Sequence, residues 1–254
     1  PYGHLVLLAR NEEGYRNLAR LNTAGHLEGF YHKPRIDRDI LRERSSGLIA
    51  LTACMGGEIP KLIRQGKLEQ AEESARWYQE TFGENFYLEL QDHGFEEQRK
   101  VNRALVEMGD RLGIELVATN DSHFTHPDDM RSHQALLCIQ TGKSLLDPNR
   151  RLLYGPEYYL KSAAQMAEIF RDHPRALANT LAIAEKCDLK FEFGKSILPH
   201  FPVPDGHTPE TYLRELAHQG ARERYGESVP DEILERLEFE LGIVIQMGFA
   251  SYFL

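Results

Sequence analysis

Residues 47–54 read GLIALTAC, a short apolar run entered through a glycine and followed at once by Thr52, Ala53 and Cys54. Two later stretches share this grammar: residues 86–94 read FYLELQDHG and residues 115–123 read ELVATNDSH. Each run has the length and composition of a buried strand. Between the runs lie stretches of helical period, at 59–63, 68–82 and 98–112, with Gly66 as a break and Gly113 as a stop. Upstream, 4–9 (HLVLLA) predicts another strand. Asn11 follows as the cap of a helix to about residue 25, with Tyr15, Leu18 and Leu21 on one face. Downstream, a helix is expected over 128–140, capped by Asp128. Strand and helix alternate, which predicts an α/β fold, either a doubly wound sheet or a barrel.

Beyond residue 142 the pattern changes to helices and loops, with helices expected over 163–170 and 175–187. The proline-rich LPHFPVPD (198–205) predicts a linker, and 209–225 and 230–247 predict two helices with no strand between them. These shifts place a domain boundary near residue 198. With 254 residues, the chain has room for one large domain, or one domain and part of another. It opens on Pro1 without an initiator methionine and ends at Leu254 with an apolar pattern still running, so an interior piece of a longer protein is expected.

Bulk composition narrows the function classes. A hydrophobic content of 41% is that of an ordinary globular protein, and no apolar run approaches the roughly 20 residues of a membrane span. The three cysteines are an odd number at wide spacing, which predicts no disulfide framework and a cytoplasmic setting. A formal charge of −9 argues against a broad phosphate-binding surface on this chain. It is compatible with metal binding, or with DNA held mainly elsewhere.

The residues immediately after the three strands carry the chemistry. Functional groups gather at the carboxyl ends of parallel strands, because the loops there converge on one rim. Here those ends deliver Cys54, then Asp92 and His93, then Asp121 and His123. Thiolate, imidazole and carboxylate are zinc-type ligands, with manganese or iron also open where carboxylates dominate. On an extended segment, Asp121 and His123 would face the same side. Each residue also has a plain structural role open to it. Asp121 suits a helix cap, Cys54 a small buried hydrophobe, and His93 a hydrogen bond to the turn at Gly94. Cys138 and Cys187 sit among apolar residues at helical spacing and are expected in the core. His126 and His133 are close enough in sequence to the Asp121 loop to support its ligands. His4 begins its strand, so the pattern alone makes it a weak ligand candidate.

In order along the chain, HLVLLARNEEGYRNLARL, GFYHKPRIDRDIL, GLIALTACMGGEIP, YLELQDHG and VATNDSHF resemble the PHP (polymerase and histidinol phosphatase) domain of the bacterial DNA polymerase III α-subunit family. EYYLKSAAQMAEIF, ALANTLAIAEKCDL, LPHFPVP and IQMGFASYFL resemble the segments that join that domain to the polymerase palm. The resemblance covers essentially the whole chain. It implies a distorted PHP-type (β/α)7 barrel over 1–197, truncated on its N-terminal side, and a linker with the first palm-region helices over 198–254. It also implies a metal cluster at the barrel's carboxyl rim. Carried over by position, His4, Cys54, Asp121 and His123 match family metal ligands, while His93 is a second-tier metal or phosphate-site residue. The family's His-x-His motif is expected upstream of Pro1, and the palm carboxylates downstream of Leu254.

The implied cofactors are Zn2+ or Mn2+ in the PHP site and Mg2+ for polymerisation. The implied partners are primer–template DNA, dNTPs, the sliding clamp and other replicase subunits, with no membrane. The implied activity is DNA-directed DNA synthesis by the parent protein, with a proofreading 3′ exonuclease in the PHP domain. A catalytically silent scaffold is the alternative, and a stand-alone metal-dependent phosphatase is a third.

Overall fold

The computed structural model describes residues 2–147, 154–194 and 198–254. The chain divides into two compact units, Pro1–Lys190 and Phe191–Leu254. The boundary expected near residue 198 abuts residues 195–197, which lie outside the described residues.

The first unit is mixed α/β, built on a sheet of four strands in the order β1-β2-β3-β4: Val6–Ala9, Leu48–Leu51, Phe86–Leu90 and Leu116–Ala118. Along the strands, side chains alternate between two faces. Leu48, Ala50, Phe86, Leu88, Leu90 and Ala118 point to one side and pack against two helices, α4 (Leu68–Phe82) and α5 (Glu96–Leu112). Those helices present Ala71, Ala75, Tyr78 and Phe82, and Val101, Leu105 and Met108, the i, i+4, i+7 stripe that faces a core. Ile49, Leu51, Tyr87 and Val117 point the other way and meet Ile183 of α8 (Pro174–Lys186). Both faces are covered, so the strands read as continuous apolar runs without polar alternation.

The alternation of strand and helix leaves the direction of the edge strand open. β2, β3 and β4 are mutually parallel, but β1 runs antiparallel to β2, pairing Val6 with Leu51 and Ala9 with Leu48. Strand–helix alternation cannot reveal this, because the apolar period of a strand is the same in either direction. Direction is set by where the connection re-enters the sheet. Here that connection holds α1 (Glu12–Leu27) and α2 (Arg38–Glu43), the latter capped by Asp37 and not foreseen. The antiparallel edge carries the amino end of β1 to the carboxyl end of β2.

Other local signals hold in part. The Asn11 side chain accepts from the Gly14 amide at 3.0 Å, as an N-cap should. Asn11→Ala is expected to cost about 0.5–2 kcal/mol, read as a lowered denaturant midpoint with an unchanged slope. In α1, Leu18 and Leu21 meet the core, whereas Tyr15 is 47% exposed. Asp128 is not the expected cap. A 3-10 turn, Pro127–Asp129, precedes α6 (Met130–Thr141), and Asp129 accepts from the His126 amide at 2.8 Å. Cys138 is buried, and Cys187 packs against the Ile49 cluster.

α3 (Glu58–Arg64) follows β2, and α7 (Ala163–Ile169) precedes α8. The second unit holds α9 (Pro209–Tyr225), α10 (Asp231–Gln246) and the short α11 (Ala250–Phe253). Arg214 and His218, one turn apart on α9, both meet Glu238 of α10, the histidine at 2.6 Å. Ser251 accepts from the Phe201 amide and donates to the Pro199 carbonyl, which ties the proline-rich strap to α11. No helix among the described residues is long and apolar enough to cross a membrane.

Candidate metal centre

The reversed direction of β1 explains His4. The residue sits two positions before β1, where its amide donates to the Gly56 carbonyl at 3.0 Å and it bridges to Gly57. That is the turn leaving β2 through Cys54. The His4 Nδ1 consequently lies 3.6 Å from the Cys54 Sγ. The turn itself is tight: Ala53 has a φ of 61°, the Gly57 amide donates to the Cys54 carbonyl at 2.7 Å, and the Gly56 amide points at the sulfur at 3.4 Å.

The loop that carries the second pair of candidate ligands leaves β4. Thr119 donates its amide to the Leu90 carbonyl at 3.0 Å, and the chain then turns sharply at Asp121, whose φ is 48°. The extended geometry expected for this segment is therefore wrong. A non-glycine residue in the left-handed region is uncommon and marks a turn held by its surroundings. The turn still brings Asp121 and His123 together, with Oδ1 and Nε2 3.5 Å apart. Residues 154–161 wall this loop. The His123 amide donates to the Tyr158 carbonyl at 2.8 Å, and its ring stacks on Tyr154 with centroids 3.7 Å apart. The His133 ring lies 5.9 Å from that of His123 in a tilted arrangement, whereas His126 is occupied at the start of the 3-10 turn. Asn120 donates to the Tyr159 carbonyl at 2.6 Å and receives the Lys161 ammonium at 3.4 Å.

His93 is built differently. It is 4% exposed and stacks on Tyr158 at 3.8 Å. Its Nε2 lies 2.7 Å from the Asn120 carbonyl, which fixes the proton there, and its Nδ1 accepts from Gln98 Nε2 at 3.0 Å. Both ring nitrogens are committed, so in this geometry His93 braces the Asp121 loop. The turn at Gly94 is made by Asp92, which accepts the Gly94 amide at 2.8 Å.

The two loops share one electrostatic field. Burial pushes the Cys54 thiol up, and the negative charges of Asp121 and Glu89 push it further, against the Gly56 amide. Glu89 is raised by burial and then by Asp121, against donors from Thr119, Gln91 and the Ala53 amide. Tyr154 and Tyr158 are raised by burial, with Asp121 and Cys54 adding to it. Burial and the neighbouring His123 lower His133. Acidic groups that each make the next harder to ionise mark a place where a cation would be stabilised. Among the described residues, no three His, Cys, Asp or Glu side chains are gathered closely enough to hold a metal ion. The donor chemistry, His4 with Cys54 and Asp121 with His123, fits a borderline-soft divalent ion, and it is presented as two pairs.

Two parts of the site escaped the sequence. Tyr154 and Tyr158 carried no signal at all. Glu89 did carry one, as a lone acid inside an otherwise apolar buried strand.

Residues 1–93 match the family described as PHP domain, and residues 211–254 match that described as bacterial DNA polymerase III alpha NTPase domain. The chain is 42% identical over 255 residues to DNA polymerase III subunit alpha of Treponema pallidum, covering 100% of this chain and 22% of the relative. It is 44% identical over 253 residues to the subunit of the same name from Borreliella burgdorferi, covering 99% and 22%. To that of Thermus aquaticus it is 43% identical over 242 residues, covering 92% and 19%. The chain thus spans about a fifth of the length of the curated relatives it matches.

Proposed function

Because the chain belongs to the bacterial DNA polymerase III α-subunit family, we propose that it is the PHP-bearing part of a replicative polymerase. That polymerase extends primer–template DNA with dNTPs, using Mg2+ at palm carboxylates outside this chain. It acts in the cytoplasm with the sliding clamp and other replicase subunits. In this reading, 1–197 form the PHP domain, whose sheet is one side of a distorted (β/α)7 barrel, and 198–254 lead into the palm region.

The PHP domain binds Zn2+ or Mn2+ and hydrolyses phosphodiesters at the primer 3′ end as a proofreading exonuclease. What supports this is that the His4–Cys54 pair and the Asp121–His123 pair follow the ends of β2 and β4, which Glu89 links through Thr52 and Thr119. His4 and Cys54 would hold the metal from the β2 side, Asp121 and His123 from the β4 side. A cation held there supplies electrophilic stabilisation of a phosphoryl oxygen and a nucleophile at neutral pH. Stacking on Tyr154 and the amide bond to Tyr158 keep the His123 ring oriented. Both His93 nitrogens stay in the brace beneath.

A second reading, a silent scaffold, is favoured by the lack of any three-ligand group among the described residues. The match over 211–254 counts against a stand-alone phosphatase. Chelation of the intact polymerase separates the first two. The native state is stabilised by bound metal, by about 2.7 kcal/mol when free metal is 100 times its dissociation constant. A metal-stripped sample should therefore melt earlier, and re-addition of Zn2+ or Mn2+ should restore both melting temperature and 3′ exonuclease activity. Restored stability without hydrolysis in any of several divalent ions would establish the scaffold.

A further inference from the structure

Glu89 belongs to neither ligand pair, yet it lies where the two ligand loops are anchored. It is 5% exposed at the penultimate position of β3. Its backbone amide donates to Thr52 Oγ1 at 2.8 Å, two residues before Cys54. Its carboxylate Oε1 accepts from Thr119 Oγ1 at 2.5 Å, two residues before Asp121, and from Gln91 Nε2 at 3.0 Å. A second bond from Gln91 Nε2 to Thr119 Oγ1, at 3.1 Å, closes a ring across the ends of β3 and β4. The residue thus joins the ends of the strands from which both loops depart.

Packing alone does not account for an acid here. A glutamine would have the same length and one oxygen able to accept both of those bonds, without the desolvation cost of a carboxylate. Among the described residues, no arginine, lysine or histidine forms an ion pair with Glu89. Its buried Oε2 makes no hydrogen bond of good geometry, although the Ala53 amide lies close enough to favour the charge, and the buried Gln91 Oε1 also has no partner. Leaving such acceptors unmet is costly, and each calls for an explanation.

We infer that Glu89 is a positioning residue of the metal centre: it sets the spacing of the Cys54 and Asp121 loops and supplies the negative floor that a bound divalent cation offsets. This rests on the metal-binding reading of the same rim. The test is a Co2+ titration of the metal-stripped intact polymerase, followed by the visible absorption of the ion and the thiolate-to-metal band from Cys54. Glu89→Gln should fold with a melting temperature no lower than metal-free wild type, bind Co2+ about 10–100-fold more weakly, and show a shifted cobalt spectrum. A merely structural role would leave that spectrum alone. Wild-type affinity and spectrum in Glu89→Gln overturn the inference while metal binding itself stands. Wild-type protein that takes up no Co2+ overturns both. If Glu89→Gln does not fold, Thr119→Val removes the donor to the same oxygen at nearly constant volume. It should weaken Co2+ binding severalfold, and unchanged binding there also overturns the role.

Discussion

Asp121→Asn and His123→Ala, introduced singly into the intact polymerase, should each strip metal from the PHP domain and abolish 3′ exonuclease activity while leaving primer extension in place. Asparagine preserves the shape of Asp121 but removes the charge that raises Cys54, Glu89, Tyr154 and Tyr158 together. The loop turn at φ 48° should survive, since asparagine tolerates the left-handed region better than most residues. A loss of about 100-fold or more in metal affinity is expected, beyond the range typical of outer partners. His123→Ala removes the other donor of the pair and the ring that stacks on Tyr154. Metal content by mass spectrometry and exonuclease rate on a mismatched primer are the measurements. Unchanged metal content in both variants would falsify the assignment.

Asp121→Asn makes a further, independent prediction about sign in the metal-free protein. The Asp121 charge pushes the Cys54 thiol up. Removing it lowers that pKa, raises the thiolate fraction at neutral pH, and should speed alkylation of Cys54. A slower reaction in the variant would mean that the two loops do not share a field.

The buried sheet was legible because β2 and β3 are covered on both faces, so apolar continuity and length sufficed. The helix stripes of α4 and α5 and the Asn11 cap were legible for the same kind of reason, since each is set by residues close in sequence. The direction of β1 was not, because it depends on a connection of almost forty residues (10–47). Without that direction His4 is a weak candidate, and its ligand role is implied only by family resemblance. The structure places His4 beside Cys54, because an antiparallel edge strand begins at the rim where its neighbours end. Asp121 illustrates a different limit. An aspartate tolerates a left-handed backbone better than most residues but does not dictate one, and the neighbouring Asn120 is tied to the Tyr159 carbonyl, 39 residues further along the chain. Glu89 was visible as an anomaly, but its partners Thr52 and Thr119 lie just past the ends of other strands.

Gly57→Ala should damage both stability and the metal centre, and Gly66→Ala, nine residues on, should damage only stability. Gly57 has an ordinary φ of −66°, so alanine meets no backbone penalty there. It meets a steric one: a Cβ would sit 2.1 Å from the Thr52 carbonyl oxygen and 3.1 Å from that of Cys54, both backbone atoms that cannot swing aside. The start of α3 must then move off the end of β2. With it would shift the Gly57–Cys54 hydrogen bond and the bridge to His4, the contacts that bring the first ligand pair together. Overpacking of this kind costs about 1–3 kcal/mol, and the His4–Cys54 distance changes with it, so metal affinity should fall as well. Gly66 presents the opposite case, with φ at +72° and nothing within 4 Å of an added Cβ. Alanine there pays only the left-handed backbone cost, about 1–2 kcal/mol. Denaturant unfolding and Co2+ titration of the two variants side by side distinguish crowding at the site from strain remote from it. Equal Co2+ affinity in both would mean that the turn after β2 does not set the geometry of Cys54.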